Sequence, residues 1–250
     1  MQQVVTSKVA LVTGAARRIG AEISRTLHDA GMNIVLHYHA SEAEAISLCE
    51  QLNQKRENSA ITICAALHEK DSEKTLIEKA AAKWGRLDAL INNASRFYRT
   101  SLSDVTLSEW EDLINTNLRA PFFLAQAAAL PLSEVGGCIV NITDIHGNRP
   151  LKEYPVYSIS KSGLIMMTRA LAKELRGKVR VNAISPGAIL WPEGENAISD
   201  EIKNKILDST LVPRAGTPAD IAKGVLFFIR DATFVSGQVL NIDGGRLLSA

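Results

Sequence analysis

The sequence has few cysteines, few aromatic residues and almost no net charge. Three of its 250 residues are cysteines, and they lie far apart without metal-type spacing, so we expect reduced thiols and no bound metal. Lys and Arg total 28 against 27 for Asp and Glu, and the basic residues are scattered along the chain. This pattern argues against a nucleic-acid partner, which would need a basic patch.

Long hydrophobic runs are also missing. The longest uncharged stretches, such as APFFLAQAAALPLS, contain proline and fall short of the roughly 20 residues that a membrane span requires. The N-terminal MQQVVTSKVALVTGAARR has no charged leader and no small-residue cleavage pattern, so it is not typical of a signal peptide. We therefore expect a soluble, cytoplasmic protein with no membrane partner.

What the sequence does contain is a regular alternation of short apolar, β-branched runs with longer stretches of helical periodicity. Strands separated by helices pair in parallel through crossovers. We predict an α/β fold over residues 1–250, a single doubly wound Rossmann-type domain with a seven-stranded parallel sheet and helices on both faces. Its ligand would lie beyond the carboxyl ends of the strands. The predicted strands cover residues 8–14, 33–39, 60–66, 88–94, 137–143, 179–185 and 238–244.

The first predicted strand runs into TGAARRIG. Gly14 closes the strand and Gly20 lies in the following helix, a spacing that turns the chain tightly and directs backbone amides towards a pyrophosphate. The second strand ends LHYHAS and lacks the acid that would bond the ribose 2′-hydroxyl of NAD. Positively charged and hydrogen-bonding groups stand there instead, which favours the 2′-phosphate of NADPH. These groups are Arg17, Arg18, His37, His39 and Ser41. The alternative is that they are only part of a solvent-exposed surface.

A second motif, YSISK, follows the fifth strand. Tyr157 and Lys161 are one helical turn apart and so share a face. At the edge of a nucleotide site, Lys161 could hold the nicotinamide ribose and lower the pKa of the Tyr157 phenol towards neutrality. Tyr157 would then be the proton donor for a hydride transfer.

Taken together, these motifs resemble the short-chain dehydrogenase/reductase family over nearly the whole chain. The glycine turn, NNA at 92–94, Asn117, YSISK and SPG at 185–187 stand in that family's order. The resemblance implies a catalytic set of Asn117, Asp144, Tyr157 and Lys161, with Asn117 holding a water on the proton relay. It also implies a homotetramer, with contacts through helices around 107–129 and 157–176. The implied cofactor site comprises Gly14, Arg17, Arg18, Ile19, Gly20, His37, Tyr38, His39, Ser41, Leu67, Asn93, Ala94, Ser95, Tyr157, Lys161, Pro186 and Gly187.

Within that family the details are similar to pteridine reductases. Arg18 occupies the place of a middle glycine, LHYHAS is close to that group's LHYHRS, and Asp144 replaces the usual catalytic serine. Phe97 would form one wall of a pterin slot, although it could also be a core residue. Two departures are Ala40, in place of an arginine, and Ala66, in place of an Asp that contacts adenine. The implied substrate site comprises Arg18, Ser95, Phe97, Asp144, Tyr157, Leu190 and Trp191.

Asp144 also carries a chemical argument of its own. A ketone reductase benefits from a neutral hydroxyl donor beside its tyrosine, and an ionised Asp has no proton to donate. Near Tyr157 it would keep the phenol protonated and accept hydrogen bonds from pterin N–H groups, which suits reduction of a ring C=N bond. Alternatively, Asp144 caps a local turn and points away, leaving Thr143 to offer its hydroxyl.

The leading hypothesis is an NADPH-dependent pteridine reductase that reduces dihydropterins, and also folates, to the tetrahydro forms. A carbonyl reductase acting on 3-oxoacyl thioesters is the second, and a non-catalytic dinucleotide-binding sensor is the third. Segment 188–216 follows the sixth strand and is predicted to form a substrate lid, although Trp191 within it could be ordinary packing. His68 and His146 are predicted to be exposed or structural.

Overall fold

The computed structural model describes residues 7–69, 71–191 and 199–249. Seven strands in these residues form one parallel sheet in the order β3-β2-β1-β4-β5-β6-β7. The predicted seven-stranded parallel sheet is therefore confirmed. The strands are β1 Val9–Val12, β2 Asn33–Tyr38, β3 Ala60–Cys64, β4 Ala89–Asn92, β5 Cys138–Ile142, β6 Arg180–Pro186 and β7 Val239–Ile242.

Helices cover both faces of the sheet. Alternate side chains of each strand point to opposite faces, so Ala10 and Val12 enter one apolar cluster while Val9 and Leu11 enter another. Because both faces of the sheet are buried, the sequences of the central strands are continuous apolar runs. The helices are α1 Arg18–Asp29, α2 Glu42–Lys55, α3 Ser72–Trp84, α4 Leu107–Ile114, α5 Ala120–Glu134, α6 Pro155–Glu174, α7 Asp200–Asp208 and α8 Pro218–Leu226.

The two clusters show which helices lie on which face. The first contains Ile23 and Leu27 of α1, with side chains of α2 and α8. The second contains Leu76 of α3 and Leu124 of α5. Burying apolar surface stabilises a fold by roughly 25 cal/mol per Å², so these two apolar clusters are the main source of the sheet's stability.

The carboxyl ends of the strands position the site. Most predicted strands are longer than the observed ones, because the residues after the last ladder bond leave the sheet as loops. Thus Gly14, His39 and Asn93 follow β1, β2 and β4. The chain order reverses between β1 and β4, and an open parallel sheet leaves a crevice at such a point.

The region predicted as a helix around 107–129 is interrupted. Residues Asn115–Arg119 form a π-helical turn between α4 and α5. Such turns insert one residue into a helix and are frequent at functional sites. None of the described helices is both long enough and apolar enough to cross a membrane.

Candidate active site

The turn after β1 is packed too tightly for side chains. Gly14 has a φ of +62°, and a Cβ there would lie 3.0 Å from Cα of Ala94. A Cβ on Gly20 would lie 2.2 Å from the carbonyl oxygen of Gly14. Glycine is therefore required at both positions, and the N-terminus of α1 is brought close to the end of β4.

Asn93 and Thr13 hold that turn from the β4 side. The Asn93 amide donates to the carbonyl oxygens of Thr13 and Gly14 at 2.9 and 3.1 Å. The Thr13 hydroxyl accepts from the backbone N–H groups of Asn93 and Ala94 at 2.9 and 3.0 Å. Asn93 thus supports the glycine turn, which matches its expected place in the cofactor site.

An open depression of about 320 Å³ adjoins the glycine turn. Arg17, at its rim, is exposed, and its guanidinium lies 3.7 Å from the Glu44 carboxylate. Glu42, the other nearby acid, accepts from the Tyr38 hydroxyl at 3.0 Å. Eleven of the predicted cofactor residues line this depression, with Ala16 beside them: Gly14, Arg17, Arg18, Ile19, Gly20, Tyr38, His39, Ser41, Asn93, Ala94 and Ser95.

His37 requires a correction. We expected it to face a 2′-phosphate, but its side chain is buried and both ring nitrogens are engaged. Nδ1 accepts from the Gly14 N–H at 3.2 Å, and Nε2 lies 3.0 Å from the Ala65 carbonyl oxygen, to which it donates. Burial lowers the pKa of His37 from 6.5 to about 4, so the ring is neutral near pH 7. His37 therefore supports the glycine turn from behind.

Leu67 requires a similar correction. Its side chain is buried in the second apolar cluster, so it does not line the depression with the other predicted residues. Its carbonyl oxygen accepts from the Arg119 guanidinium at 3.2 Å. An apolar side chain after a buried strand is stabilised by remaining in the core, which explains this placement.

A second depression, also of about 320 Å³, continues from the first and shares Arg18, Ile19, Asn93 and Ser95 with it. It joins the ends of β4, β5 and β6 to the start of α6. Pro186 and Gly187 form its far side, and a Cβ on Gly187 would lie 2.7 Å from Cα of Asp243. The predicted residues lining it are Arg18, Ser95, Phe97, Asp144, Tyr157, Lys161, Pro186, Gly187 and Leu190.

Asp144 and Tyr157 meet at the centre of this depression. The Tyr157 hydroxyl donates to Oδ2 of Asp144 at 2.8 Å, and the other carboxylate oxygen accepts from the His146 N–H at 2.8 Å. Asp144 thus caps the short 3₁₀ turn Ile145–Gly147 and also faces the site. Asp144 therefore caps the turn, as the alternative predicted, but it does not point away from the site.

The alternative in which Thr143 replaces a catalytic serine is wrong. The Thr143 side chain is buried, and its hydroxyl donates to the Ile184 carbonyl oxygen at 2.8 Å. That bond links β5 to β6. It also uses the hydroxyl proton, so the Thr143 hydroxyl cannot donate to a substrate.

The pKa of Tyr157 shifts in the direction expected from Asp144, and against the direction expected from Lys161. Burial raises the pKa of Tyr157 well above 10, and the negative charge of Asp144 raises it further. Burial lowers the pKa of Lys161 to about 8, while Asp144 acts in the opposite direction. The Lys161 ammonium donates to the Ile142 carbonyl oxygen at 3.1 Å and lies 5.7 Å from the Tyr157 ring centroid. The predicted lowering of the phenol pKa is therefore wrong here, and Tyr157 is held protonated.

Asn117 lies in the π-helical turn and is buried. Its carbonyl oxygen accepts from the Arg96 N–H at 2.8 Å and the Ser95 hydroxyl at 3.0 Å. Its amide donates to the Arg96 carbonyl oxygen at 3.0 Å and the Ser160 hydroxyl at 3.1 Å. The side chain expected to hold a water therefore ties the 95–97 loop to α6.

The loop held by Asn117 presents Phe97 to the site. The Phe97 ring stacks on Tyr154 at 4.7 Å with nearly parallel planes, and meets Tyr157 edge-on at 4.8 Å. These geometries are the favourable ones for aromatic pairs. Phe97 is partly buried and lines the depression, so it forms a wall instead of entering the sheet core.

Arg18 spans the two depressions. Its backbone φ is +53°, a left-handed conformation that costs a non-glycine residue about 1–2 kcal/mol. Its guanidinium donates to the Trp191 carbonyl oxygen at 3.2 Å. The backbone of Trp191 thus meets the glycine turn, while Leu190 lines the substrate side; residues 192–198 of the predicted lid lie outside the described residues.

Three residues of this site were not assigned to it from the sequence: Ile189, His146 and Arg246. Ile189 and His146 line the second depression. Arg246, in the turn after β7, is partly buried; burial lowers its pKa and the nearby charge of Asp144 raises it. Its turn is tied to the Asp144 region because Arg149 donates to the Ser249 carbonyl oxygen at 2.7 Å. No motif marks such a residue, since only the fold brings residues 149 and 249 together.

Comparisons with known proteins agree with this geometry. Residues 14–246 match the protein-family model described as enoyl-(acyl carrier protein) reductase. Pteridine reductase 1 of Leishmania tarentolae is 32% identical, over 98% of this chain and 98% of its own length. A 3-oxoacyl-[acyl-carrier-protein] reductase of Staphylococcus epidermidis is 34% identical over 97% and 100%, and one of Chlamydia muridarum 31% over 98% and 99%. The chain therefore belongs to the short-chain dehydrogenase/reductase family of oxidoreductases.

Proposed function

We propose that the protein is an NADPH-dependent pteridine reductase that reduces dihydropterins, and with them dihydrofolate or oxidised pterins, at a ring C=N bond. The observation that carries the proposal is the hydrogen bond from Tyr157 to Asp144. A carboxylate stands where a ketone reductase would use a hydroxyl donor, and an ionised carboxylate can only accept. Phe97 supports the proposal because it adds an aromatic wall for a flat ring.

The first depression fits a dinucleotide phosphate cofactor. Gly14 and Gly20 give the close approach of backbone that a pyrophosphate needs, and no acidic side chain stands at the end of β2 to bond a ribose 2′-hydroxyl. Arg17, His39 and Ser41 lie there instead, which supports NADPH over NADH. When bound, NADPH supplies the hydride. The other residues that would hold it are Arg18, Ile19, Tyr38, Asn93, Ala94, Ser95, Lys161, Pro186 and Gly187.

The proton chemistry follows from the charges in the second depression. Tyr157 is protonated at neutral pH because its pKa is raised, and its hydroxyl would donate to a ring nitrogen by exchanging its bond to Asp144 for one to the substrate. Asp144 holds the phenol in place and can accept N–H groups of a pterin or pass on a proton from water. Lys161, with a pKa near 8, is mostly charged at pH 7 and is placed to hold the ribose.

Segment 188–216 would close over the substrate as a lid. Leu190 lines the second depression, and the Trp191 carbonyl oxygen is held by Arg18. The lid would therefore be attached to the same residue that spans both depressions.

We also propose that this chain works as a soluble cytoplasmic homotetramer. Large apolar side chains exposed in two parts of the chain support this: Phe122, Phe123, Leu130, Ile159 and Met166 on α5 and α6, and Phe227, Phe234 and Leu240 within residues 227–240. Two groups of exposed apolar residues would serve the two different two-fold contacts that a tetramer requires. Sedimentation velocity would test this, and a monomer at micromolar concentration would contradict it.

The second candidate is a 3-oxoacyl-thioester reductase, favoured by relatives of that name at 31–34% identity. One assay distinguishes the two: NADPH oxidation measured side by side with dihydrobiopterin, dihydromonapterin, dihydrofolate and acetoacetyl thioester. We expect turnover on a dihydropterin. Turnover on the thioester alone would overturn the proposal, and cofactor binding without any turnover would indicate a non-catalytic sensor.

A further inference from the structure

Two histidines outside the catalytic centre contact each other at the rim of the cofactor depression. His39 follows β2 and lines the depression, and His68 follows β3. Their ring centroids are 5.8 Å apart with the planes at 83°, an edge-to-face contact. Both side chains are exposed, so the contact is not a consequence of core packing.

The backbone holds the two rings together. The Ala65 N–H donates to the Tyr38 carbonyl oxygen at 3.0 Å, and the buried His37 ring donates to the Ala65 carbonyl oxygen at 3.0 Å. These bonds attach the loop after β3 to the end of β2. The next turn is closed by the Glu69 N–H, which donates to the Ala66 carbonyl oxygen at 3.0 Å, so His68 lies near its tip.

The loop is also fixed from the protein interior. Arg119 donates to the Leu67 carbonyl oxygen at 3.2 Å and to the Glu73 carboxylate at 2.8 Å. The backbone of the loop that carries His68 is therefore held by hydrogen bonds on both sides. A loop that is ordered before a ligand binds loses less entropy on binding, which favours affinity.

The chemistry of the neighbourhood indicates the ligand. A phosphate monoester carries about 1.5 to 2 negative charges and three acceptor oxygens. Arg17 lines the same depression, but the Glu44 carboxylate at 3.7 Å offsets part of its charge. Ala40 and Ala66, in the two loops concerned, contribute no polar side chain. An imidazole donates one N–H when neutral and two when protonated, so the histidine pair can supply the missing donors.

We propose that His68, together with His39, binds the 2′-phosphate of the cofactor, so that the loop after β3 takes part in choosing NADPH over NADH. The inference rests on the proposed NADPH-dependent function. The proposal gives His68 a role in binding the cofactor, whereas the sequence of the protein alone predicted an exposed or structural residue.

The test compares dissociation constants for NADPH and NADH, measured by cofactor fluorescence, in the full-length wild type and in His68→Ala, His39→Ala and the double variant. One charge-assisted hydrogen bond contributes about 1.5 kcal/mol or more, so each single change should weaken NADPH about tenfold and NADH less than twofold. The double variant should lose less than the product of the single effects, because the rings act as a pair. His68→Gln keeps a donor and should recover part of the affinity.

Lys178→Gln is the matched control, because it removes an exposed positive charge just before β6, at the end of the strands opposite to the cofactor depression. It should leave both constants unchanged. Equal weakening of NADPH and NADH in His68→Ala would overturn the inference, since it would indicate contact with adenine or a loop effect; no weakening would overturn it too. In both cases dihydropterin turnover with NADPH would leave the proposed function standing. A wild type that binds NADH as tightly as NADPH would refute the cofactor choice itself, and the inference with it.

Discussion

The Tyr157 hydroxyl and Oδ2 of Asp144 are 2.8 Å apart, with the phenol as donor. This contact makes the site's tyrosine a neutral acid, because the carboxylate opposes loss of the phenol proton and burial acts in the same direction. An enzyme that needs tyrosinate would be poorly served by this pair. One that needs a protonated phenol at neutral pH has it here.

Replacing Asp144 tests that pair directly. We expect Asp144→Ala to lower the turnover number on a dihydropterin by about 100-fold, in the range of a lost acid–base group, while the NADPH dissociation constant changes less than threefold. Asp144→Ser is the matched variant, since it restores a hydroxyl donor and should raise activity on acetoacetyl thioester relative to the pterin. Steady-state kinetics on both substrates measure this. An unchanged turnover number in Asp144→Ala would show that the carboxylate only caps its turn.

The aromatic wall gives a second prediction. Phe97→Ala removes a ring that packs on Tyr154 and Tyr157, so the dihydropterin KM should rise about tenfold, consistent with the 0.5–1.5 kcal/mol of an aromatic pair plus lost apolar contact. Phe97→Tyr keeps the ring and should stay close to wild type. Affinity for NADPH should be unaffected in both variants. An unchanged KM would indicate that the pterin does not bind against Phe97.

Arg18 allows backbone strain to be separated from side-chain function. With φ at +53°, Arg18→Gly should remove about 1 kcal/mol of strain and raise the free energy of unfolding, yet weaken binding of cofactor and substrate. Arg18→Ala loses the same guanidinium, including its bond to the Trp191 carbonyl oxygen, but keeps the strain. Urea unfolding of the two variants gives the comparison. Equal stabilities for Arg18→Gly and Arg18→Ala would argue against strain at this position.

His37 predicts a pH dependence of stability. Its pKa in the folded protein is about 4, against 6.5 when unfolded, so the unfolded chain binds the proton more tightly between those values. The stability that this group provides is complete above pH 6.5 and is lost as the pH falls towards 4, by roughly 3 kcal/mol at most. His37→Gln preserves an acceptor and a donor but does not titrate, and its unfolding free energy should fall less over the same range. Parallel curves for wild type and variant would contradict this.

The sequence predicted the sheet well because buried parallel strands are short apolar runs bounded by turns, and the run from Val9 to Val12 shows this clearly. It also placed Asp144, Tyr157 and Lys161 in one site, since their spacing joins a strand end to one turn of a helix. His37 was misplaced for a physical reason. A polar side chain inside a strand can be satisfied by the backbone of neighbouring loops, here Gly14 and Ala65, and those partners are remote in sequence.

The role of Asn117 could not be predicted for a different reason. Its four hydrogen bonds reach the 95–96 loop and Ser160, and they depend on a π-helical turn that has no clear sequence signature. Arg246 is a similar case, because its closeness to Asp144 arises from the path of the chain after β7.

The π-helical turn at Asn115–Arg119 also sets the direction in which the side chains of the following helix point. One residue inserted into a helix turns every later side chain by about 100° relative to a uniform α-helix. Before the insertion, Leu113 packs with Val156 and Tyr157; after it, Leu124 and Leu132 pack in the second apolar cluster under the sheet. Asn117, inside the inserted turn, bonds the 95–96 loop. The same short turn therefore separates the stretch of helix that packs beside the site from the stretch that packs in the sheet core.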